Sequence, residues 1–425
     1  MSQLKTYPKY KDSGIEWVGE IPKEWEINKL KRLLEVKNGK EIIDGNLKGK
    51  KTFNVYGSGG VFKTTNYFLY DGESVLFGRK GTLGKPMFIK GKFWTVDTMY
   101  YTDIYDNAVP KYIYYILTFY PWKLIATKTA LPSIVGTDVE NSLICIPEKS
   151  EQLKIARFLD KKTSEIDALI ADKERLIELL EEKRQAVITE TVTKGLDPDV
   201  KMKDSGIEWI GEIPEHWEVT KIKYQSELNM KSLSDKTNPG QEITYIDIGS
   251  VDSNGNIIEK ETMKFKEAPS RARRIVKEGD TIVSTVRTYL QAITMIDQTT
   301  SGCIVSTGFA VLSPKKSVVD EYFGLYFRST PVLDRIISIS KGINYPAINS
   351  SDLAQLEFIY PPYNEQEKIV KRINKKLKEM EIITSKIENQ IQKLKEYRES
   401  LIYEAVTGKI DVRDYDVERS KCHGH

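Results

Sequence analysis

One phrase occurs twice in this chain. SGIEWVGEIPKEWE at residues 13–26 returns as SGIEWIGEIPEHWE at 205–218, and Lys11–Lys31 matches Lys203–Lys223 at 15 of 21 positions. Five of the six differences keep size or polarity, and the odd one sets Glu24 against His216. A weaker likeness follows. DGESVLFGRKGTLG (71–84) aligns with EGDTIVSTVRTYLQ (278–291) at an offset of 207, and ALPSIVGTDVENSLICIPEKSEQ (130–152) with NYPAINSSDLAQLEFIYPPYNEQ (344–366) at 214. An offset that grows in one direction is what insertions in the second copy produce. The 425 residues therefore read as a tandem duplication, long enough for each copy to have its own core.

Each copy follows one plan: tryptophan phrase, mixed stretch, long charged helix. The mixed stretches hold short β-branched and aromatic runs such as SVLFG, DTIVSTV and CIVSTGFAVL, separated by turn residues and by helical patterns such as VPKYIYYILTFYPWKLI (109–125). That mixture predicts α/β or α+β heads. The helices are predicted from heptads. Ile373, Met380, Ile387, Leu394 and Leu401 recur every seven residues within Glu365–Thr407, with Leu377, Ile391 and Ala405 between them. Leu159, Ile166, Leu180 and Val187 keep the same register within Glu151–Thr193, joined by Ile170 and Ile177, and Lys173 falls on the seam. About 40 helical residues make a rod of roughly 60 Å. A second helix that follows the second head pairs with the first by running back, so an antiparallel pair with a head at each end is expected.

The residues that chemistry would need are missing. YGSGG (56–60) fits neither a dinucleotide fingerprint nor a phosphate loop followed by Lys-Ser/Thr. YPPY (360–363) brushes against the tetrapeptide of amino-methyltransferases, but Tyr360 replaces the side chain that accepts from the target amine, and the other copy has CIPE there. Cys145, Cys303 and Cys422 are far apart with no CxxC, so neither disulfides nor zinc are indicated and an intracellular chain is expected. Cys422, His423 and His425 sit in a tail without apolar pattern and are expected to fray. No apolar run approaches a membrane span, and the N-terminal residues hold no signal core. Basic runs occur at 48–51, 78–81 and 271–274, although the net charge of +3 alone does not announce nucleic acid and such runs are also ordinary solvated loops. What remains is a scaffold presenting two heads with Gly-rich loops bearing Arg, Lys, Ser, Thr and Tyr, suited to reading two places on a long ligand.

The chain resembles the specificity subunits of type I restriction–modification systems. The resemblance rests on GIEWVGEIPKEWE and its second copy, on YGSGGVFKTTNY with GESVLFGRKGTLG, on the Pro147…Glu151-Gln152 and Pro361…Glu365-Gln366 junctions, and on the paired helices. It implies two target-recognition domains spaced by an antiparallel two-helix coiled coil. The corresponding division is 1–21 (N-terminal conserved segment), 22–150 (first recognition domain), 151–194 (central helix), 195–213 (linker and repeated segment), 214–363 (second recognition domain), 364–408 (C-terminal helix) and 409–425 (tail). It further implies an asymmetric bipartite target on double-stranded DNA, two methyltransferase subunits and two restriction/translocase subunits as partners, and no cofactor in this chain, with S-adenosylmethionine, ATP and Mg held by those partners. A stand-alone adenine methyltransferase and a coiled-coil scaffold without a DNA role are the alternatives.

Candidate DNA contacts are Ser58, Lys63, Thr64, Arg79, Lys80 and Thr82 in the first head, with Arg79 suited to two guanine acceptors and Lys80 to phosphate. In the second head they are Arg271, Arg273, Arg274, Arg287, Tyr289, Lys341 and Asn344, although STVRTYLQ departs from FGRKGTLG. Two methyltransferase subunits docking equivalently need two equivalent surfaces, which makes Trp17, Trp25, Trp209 and Trp217 candidates for partner contact. The same tryptophans would also serve to pin each head to the rod.

Overall fold

The repeated phrase folds twice into the same small device. In this computed structural model, which describes residues 5–42, 52–129 and 132–415, Tyr10–Asp12 pairs antiparallel with Glu20–Pro22, and Met202–Asp204 pairs with Glu212–Pro214 in the same register. The shared Asp-Ser-Gly explains the turn. The Asp12 and Asp204 carboxylates each accept the amide two residues on, at Gly14 and Gly206, both at 2.9 Å. The hydroxyls of Ser13 and Ser205 accept from Ile15 and Ile207, both at 3.1 Å. A third strand in each copy, Glu26–Lys29 and Glu218–Lys221, pairs antiparallel with Leu143–Ile146 and Glu357–Tyr360, which lead into the long helices.

The chain divides into two compact units. Unit 1 is Met1–Glu174 with Glu388–His425, and unit 2 is Arg175–Ile387. The glutamine of each Glu-Gln junction is fully buried and used identically. In unit 1 Gln152 donates to the Pro147 carbonyl at 3.0 Å and accepts the Val109 amide at 3.0 Å; in unit 2 Gln366 donates to Pro361 and accepts from Val319, both at 2.8 Å. Val109 and Val319 each precede a helix of the head, Pro110–Phe119 and Asp320–Phe327. One side chain thus satisfies an orphan helix N–H and fastens head to long helix. Pro121 stops the first of these helices after Phe119, and a single turn at Trp122–Ile125 follows.

The two heads differ in their sheets. Among the described residues, unit 1 has one six-stranded sheet, in the order Leu34–Asn38, Met99–Ile104, Tyr70–Gly78, Gly84–Thr95, Phe53–Gly57, Gly60–Thr65. The long Gly84–Thr95 strand holds it together, antiparallel to Tyr70–Gly78 and, at its far end, parallel to Phe53–Gly57. Unit 2 breaks that strand in two. Ile293–Met295 keeps the antiparallel partner Thr281–Ser284, while Ile304–Ser306 takes the parallel partner Glu242–Ile246. Between them a turn is built on Asp297, whose carboxylate accepts from the hydroxyls of Thr300 at 2.6 Å and Thr299 at 2.8 Å and is held below the ordinary carboxylate range by them. The result is two four-stranded sheets, the second extended by Ala272–Ile275.

The long helices span Lys149–Lys194 and Tyr363–Val406. In unit 1 they run antiparallel: Lys173 donates to Gln390 at 2.6 Å and Arg398 pairs with Asp167 at 2.8 Å, so one number falls as the other rises. Of the predicted seam, Leu159, Ile166, Ile170, Val187, Ile373, Met380, Ile387, Ile391, Leu401 and Ala405 are buried, and Ile177, Leu180, Leu377 and Leu394 are half-buried. Lys173 reaches a glutamine amide at the side of the seam.

Burial separates two readings left open for the tryptophans, and the tail departs from its expectation. Trp25 is 1% exposed and Trp217 is 0% exposed, so neither indole has a face to offer a partner. Each fills the core where a head meets its helices: Trp217 lies in a cluster with Ile188, Val192, Ile369 and Ile373. The tail is ordered further than its composition suggests. Ile410 and Val412 are buried, Asp411 donates its amide to Lys5 at 2.7 Å, and Arg413 pairs with Asp411 and lies 4.8 Å from the Tyr7 ring centre. A few apolar residues spaced by an ion pair suffice to dock an extended segment, which periodicity does not reveal. Cys422, His423, His425 and the 48–51 run lie outside the described residues.

Candidate nucleic-acid interface

In unit 1 the candidates gather around the turn at 95–99. The Phe53–Gly57 and Gly60–Thr65 strands form a hairpin that turns at Ser58-Gly59, and Tyr56 at its end accepts the Val96 amide at 3.3 Å. The 79–83 loop meets the same turn, since Arg79 donates its amide to Thr98 at 2.9 Å. On its other side the loop is tied to 132–134, through Ile134 N–H to the Arg79 carbonyl at 2.9 Å and a bridge between Lys80 and Ser133. Gly78 is demanded here, because a Cβ would overlap the Thr82 carbonyl oxygen. The Arg79 guanidinium lies 5.5 Å from the Tyr100 ring centre and 3.4 Å from the Asn38 side-chain oxygen. It is oriented rather than free to wander. Lys80 and Thr82 are exposed beside it, and Ser58 is exposed at the hairpin turn. Lys63 and Thr64 sit further along the edge strand, next to the exposed Val61 and Phe62.

In unit 2 a groove runs between Arg271 and Arg287, floored by Ser306, Thr307 and Gly308, with Tyr345 at its rim. Arg271 is held from one side: its guanidinium donates to Asp247 at 3.2 and 2.8 Å and to the Tyr245 hydroxyl at 3.1 Å. Burial pushes the Asp247 carboxyl up, but hydrogen bonds from Tyr245, the Ile248 amide and Arg271 outweigh it and keep the group below the usual carboxylate range. Arg287 stands in the left-handed region at φ +54, exposed, its guanidinium 4.9 Å from the Tyr345 ring centre. Its amide donates to Pro346 at 2.8 Å, which joins its loop to the segment carrying Lys341 and Asn344. Tyr289 is exposed on the short turn that follows.

The remaining pair is placed differently. Arg273 lies 4.9 Å from the Phe265 ring centre and pairs with Asp235 at 3.2 Å, and Arg274 is half-buried, its guanidinium proton weakened by desolvation. Neither lines the groove. A bulge between Ala272 and Arg274 breaks the alternation that a run of basic residues suggests. Tyr345 and Asp247 were missed by sequence reasoning: Asp247 carries no motif, and Tyr345 differs from its exposed neighbours only by the ring beneath Arg287. The buried thiols Cys145 and Cys303 are both pushed upward by desolvation, Cys145 to about 12, which leaves them poor nucleophiles. Among the described residues there is no cluster of metal-ligand type and no helix long and apolar enough to cross a membrane.

Two α/β heads on one repeated frame, each presenting oriented cations on braced loops, define a tandem recognition protein. The chain belongs to the type I restriction–modification specificity family: the family model described as Type I restriction modification DNA specificity domain matches residues 22–179 and again 214–393. It is similar to the type I restriction enzyme MjaVIII specificity subunit of Methanocaldococcus jannaschii, 25% identical over 93% of this chain and 95% of that one. It is also similar to the EcoDI specificity subunit of Escherichia coli, 20% identical over 92% and 90%. The fold matches a chain solved in work on complex assembly and conformational transition of the type I R-M system, with a TM-score of 0.67 at 16% identity over 92% of this chain and 99% of that one. It also matches the HsdS subunit of Thermoanaerobacter tengcongensis, with a TM-score of 0.51 at 15% identity over 92% and 98%.

Proposed function

We propose that each recognition domain reads one half of an asymmetric, bipartite double-stranded DNA target, on behalf of two methyltransferase subunits and two restriction/translocase subunits. The observation that carries this is the contrast between frame and loops. Hairpin, buried tryptophan and glutamine clasp are the same in both copies, while the exposed cations sit on loops of different sequence and geometry. A shared frame suits like partners, and unlike loops suit unlike half-sites. In the first domain Arg79 is the candidate for paired guanine acceptors, with Lys80 on phosphate and Ser58 and Thr82 beside them. In the second, Arg287 takes the reading role and Lys341 the phosphate, with Tyr289 and Asn344 on the same pair of loops. Arg271, already bound to Asp247, positions the groove.

Trp17 and Trp209 are the half-exposed members of the repeated phrase and fit the equivalent contacts to the two methyltransferases. Trp17 rests edge-on against Tyr120 with its ring centre 6.1 Å away, and Trp209 rests on its unit's core, so each offers its remaining face. S-adenosylmethionine, ATP and Mg would then be held by the partners.

The test is an exchange of residues 22–150 for the equivalent stretch of another specificity subunit, co-expressed with its methyltransferase. Genome-wide mapping of methylated bases should show one half-site changed and the other kept. A change in both halves would mean that the domains do not read independently.

A further inference from the structure

The loop pair beside the groove of unit 2 carries an apolar side chain that no packing explains. Ile343 is 99% exposed. It is not on a loose segment: Lys341 and Ala347 exchange backbone hydrogen bonds at 2.8 and 2.9 Å, and the Arg287 amide is tied to Pro346. The stretch between them projects as a braced bulge, with Gly342 at φ +110 supplying its bend. A lone exposed isoleucine is ordinary on a protein surface. Ile343 is not alone. Tyr345 and Tyr289 are exposed on the same two loops, and Arg287 and Lys341 flank them. An apolar tip with a lysine on its own loop and an arginine on the loop tied to it suits a polyanion whose interior has something apolar to offer. In the major groove of DNA that is the C5 methyl group of thymine.

We propose that Ile343 is a specificity-determining contact to the methyl group of a thymine in the half-site read by the second domain. This rests on the DNA-reading function proposed above. Arg287 and Lys341 bring the bulge to the duplex, and Ile343 then removes one methyl group from water. A hydroxyl or amide at that position would gain nothing from thymine over cytosine by this route.

The experiment uses the chain in complex with its methyltransferase and a duplex carrying the target found by methylation mapping, with deoxyuridine replacing each thymine of that half-site in turn. The unaltered complex should lose roughly fourfold in affinity at one thymine, the effect of one methyl group. Ile343→Ala should bind the thymine duplex about as weakly as the unaltered complex binds the uracil one, and should no longer distinguish the two. Ile343→Val should retain most of the difference, and both variants should melt as the parent does, since the side chain is 99% exposed. The proposal is overturned if uracil is harmless at every thymine, or if Ile343→Ala weakens binding yet keeps full sensitivity to the methyl group, as a wedge between base pairs would. A complex that binds all sequences equally before any substitution would instead remove the reading function on which the proposal stands.

Discussion

The two units solve one local problem in two ways. In unit 1, Glu151 at the start of the first long helix accepts the Trp25 indole N–H at 3.2 Å and the Tyr7 hydroxyl at 2.6 Å. In unit 2 the equivalent carboxylate, Glu365, is taken by His216 at 2.8 Å, and the buried Trp217 indole N–H has no hydrogen-bond partner among the described residues. The sequence difference behind this is small. His216 stands where the first copy has Glu24, and Asp199 where it has Tyr7. The buried position of the indole is kept in both units while its hydrogen bond to the helix carboxylate is made only in unit 1, so shape is the feature the two frames share.

That comparison breaks most visibly at the indoles. Trp25→Ala and Trp217→Ala should each destabilise their own unit by about 3–5 kcal/mol, seen as a lowered unfolding midpoint in calorimetry. Equal effects are expected; a Trp217 cost well below that of Trp25 would mean that the missing hydrogen bond matters more than the shape. The carboxylates should separate the units next. Glu151→Ala orphans an indole N–H and a phenol and should cost about 1–3 kcal/mol, whereas Glu365→Ala removes a pair on a half-exposed histidine and should cost about 0–1 kcal/mol. Chemical denaturation of both variants beside the parent would reverse the assignment if Glu365 proved the costlier loss.

The loops proposed to read DNA sharpen the contrast. Arg79→Ala should cost about 1–3 kcal/mol of discrimination at one base pair of the first half-site and leave the second untouched. Methylation mapping reports this as relaxation at a single position. The smallest effect is expected from Lys80→Ala, which should weaken binding to all sequences alike and reduce the slope of log affinity against log salt by about one. If the two variants behave identically in salt titrations, Arg79 is a phosphate contact as well.

The frame was largely legible in the chain itself. Heptads fix the helices because Ile373, Met380 and Ile387 can share one buried line only in a helix, and the repeated Asp-Ser-Gly implies a repeated turn. The pairing of Trp25 and Trp217 with the core was one of two open readings, and only burial separates them. The loops resisted for a physical reason. Arg271, Arg273 and Arg274 look alike in a row, but one bulge sends them to an aspartate, a phenylalanine ring and a half-buried position. The splitting of one long strand into two left only a rising offset as its trace, since the turn on Asp297 is a matter of three hydroxyl and carboxylate groups and not of hydrophobic pattern.

Unit 2 is a single unbroken segment, whereas unit 1 is assembled from residues 1–174 and 388–425. The closing contacts of unit 1 join its far ends: Lys5 accepts the Asp411 amide, the Tyr403 hydroxyl reaches the carbonyls of Trp17 and Val18, and Lys409 reaches that of Glu20. During synthesis the first recognition domain is made early, but the helix and extended segment that complete its unit, residues 388–415, are made only after all of unit 2. Unit 2 has all its parts before unit 1 does. Vectorial synthesis usually lets the N-terminal part finish first; here the order is inverted, and the nascent first domain must wait, with half of its helical seam uncovered, until the segment from Glu388 onward has been made.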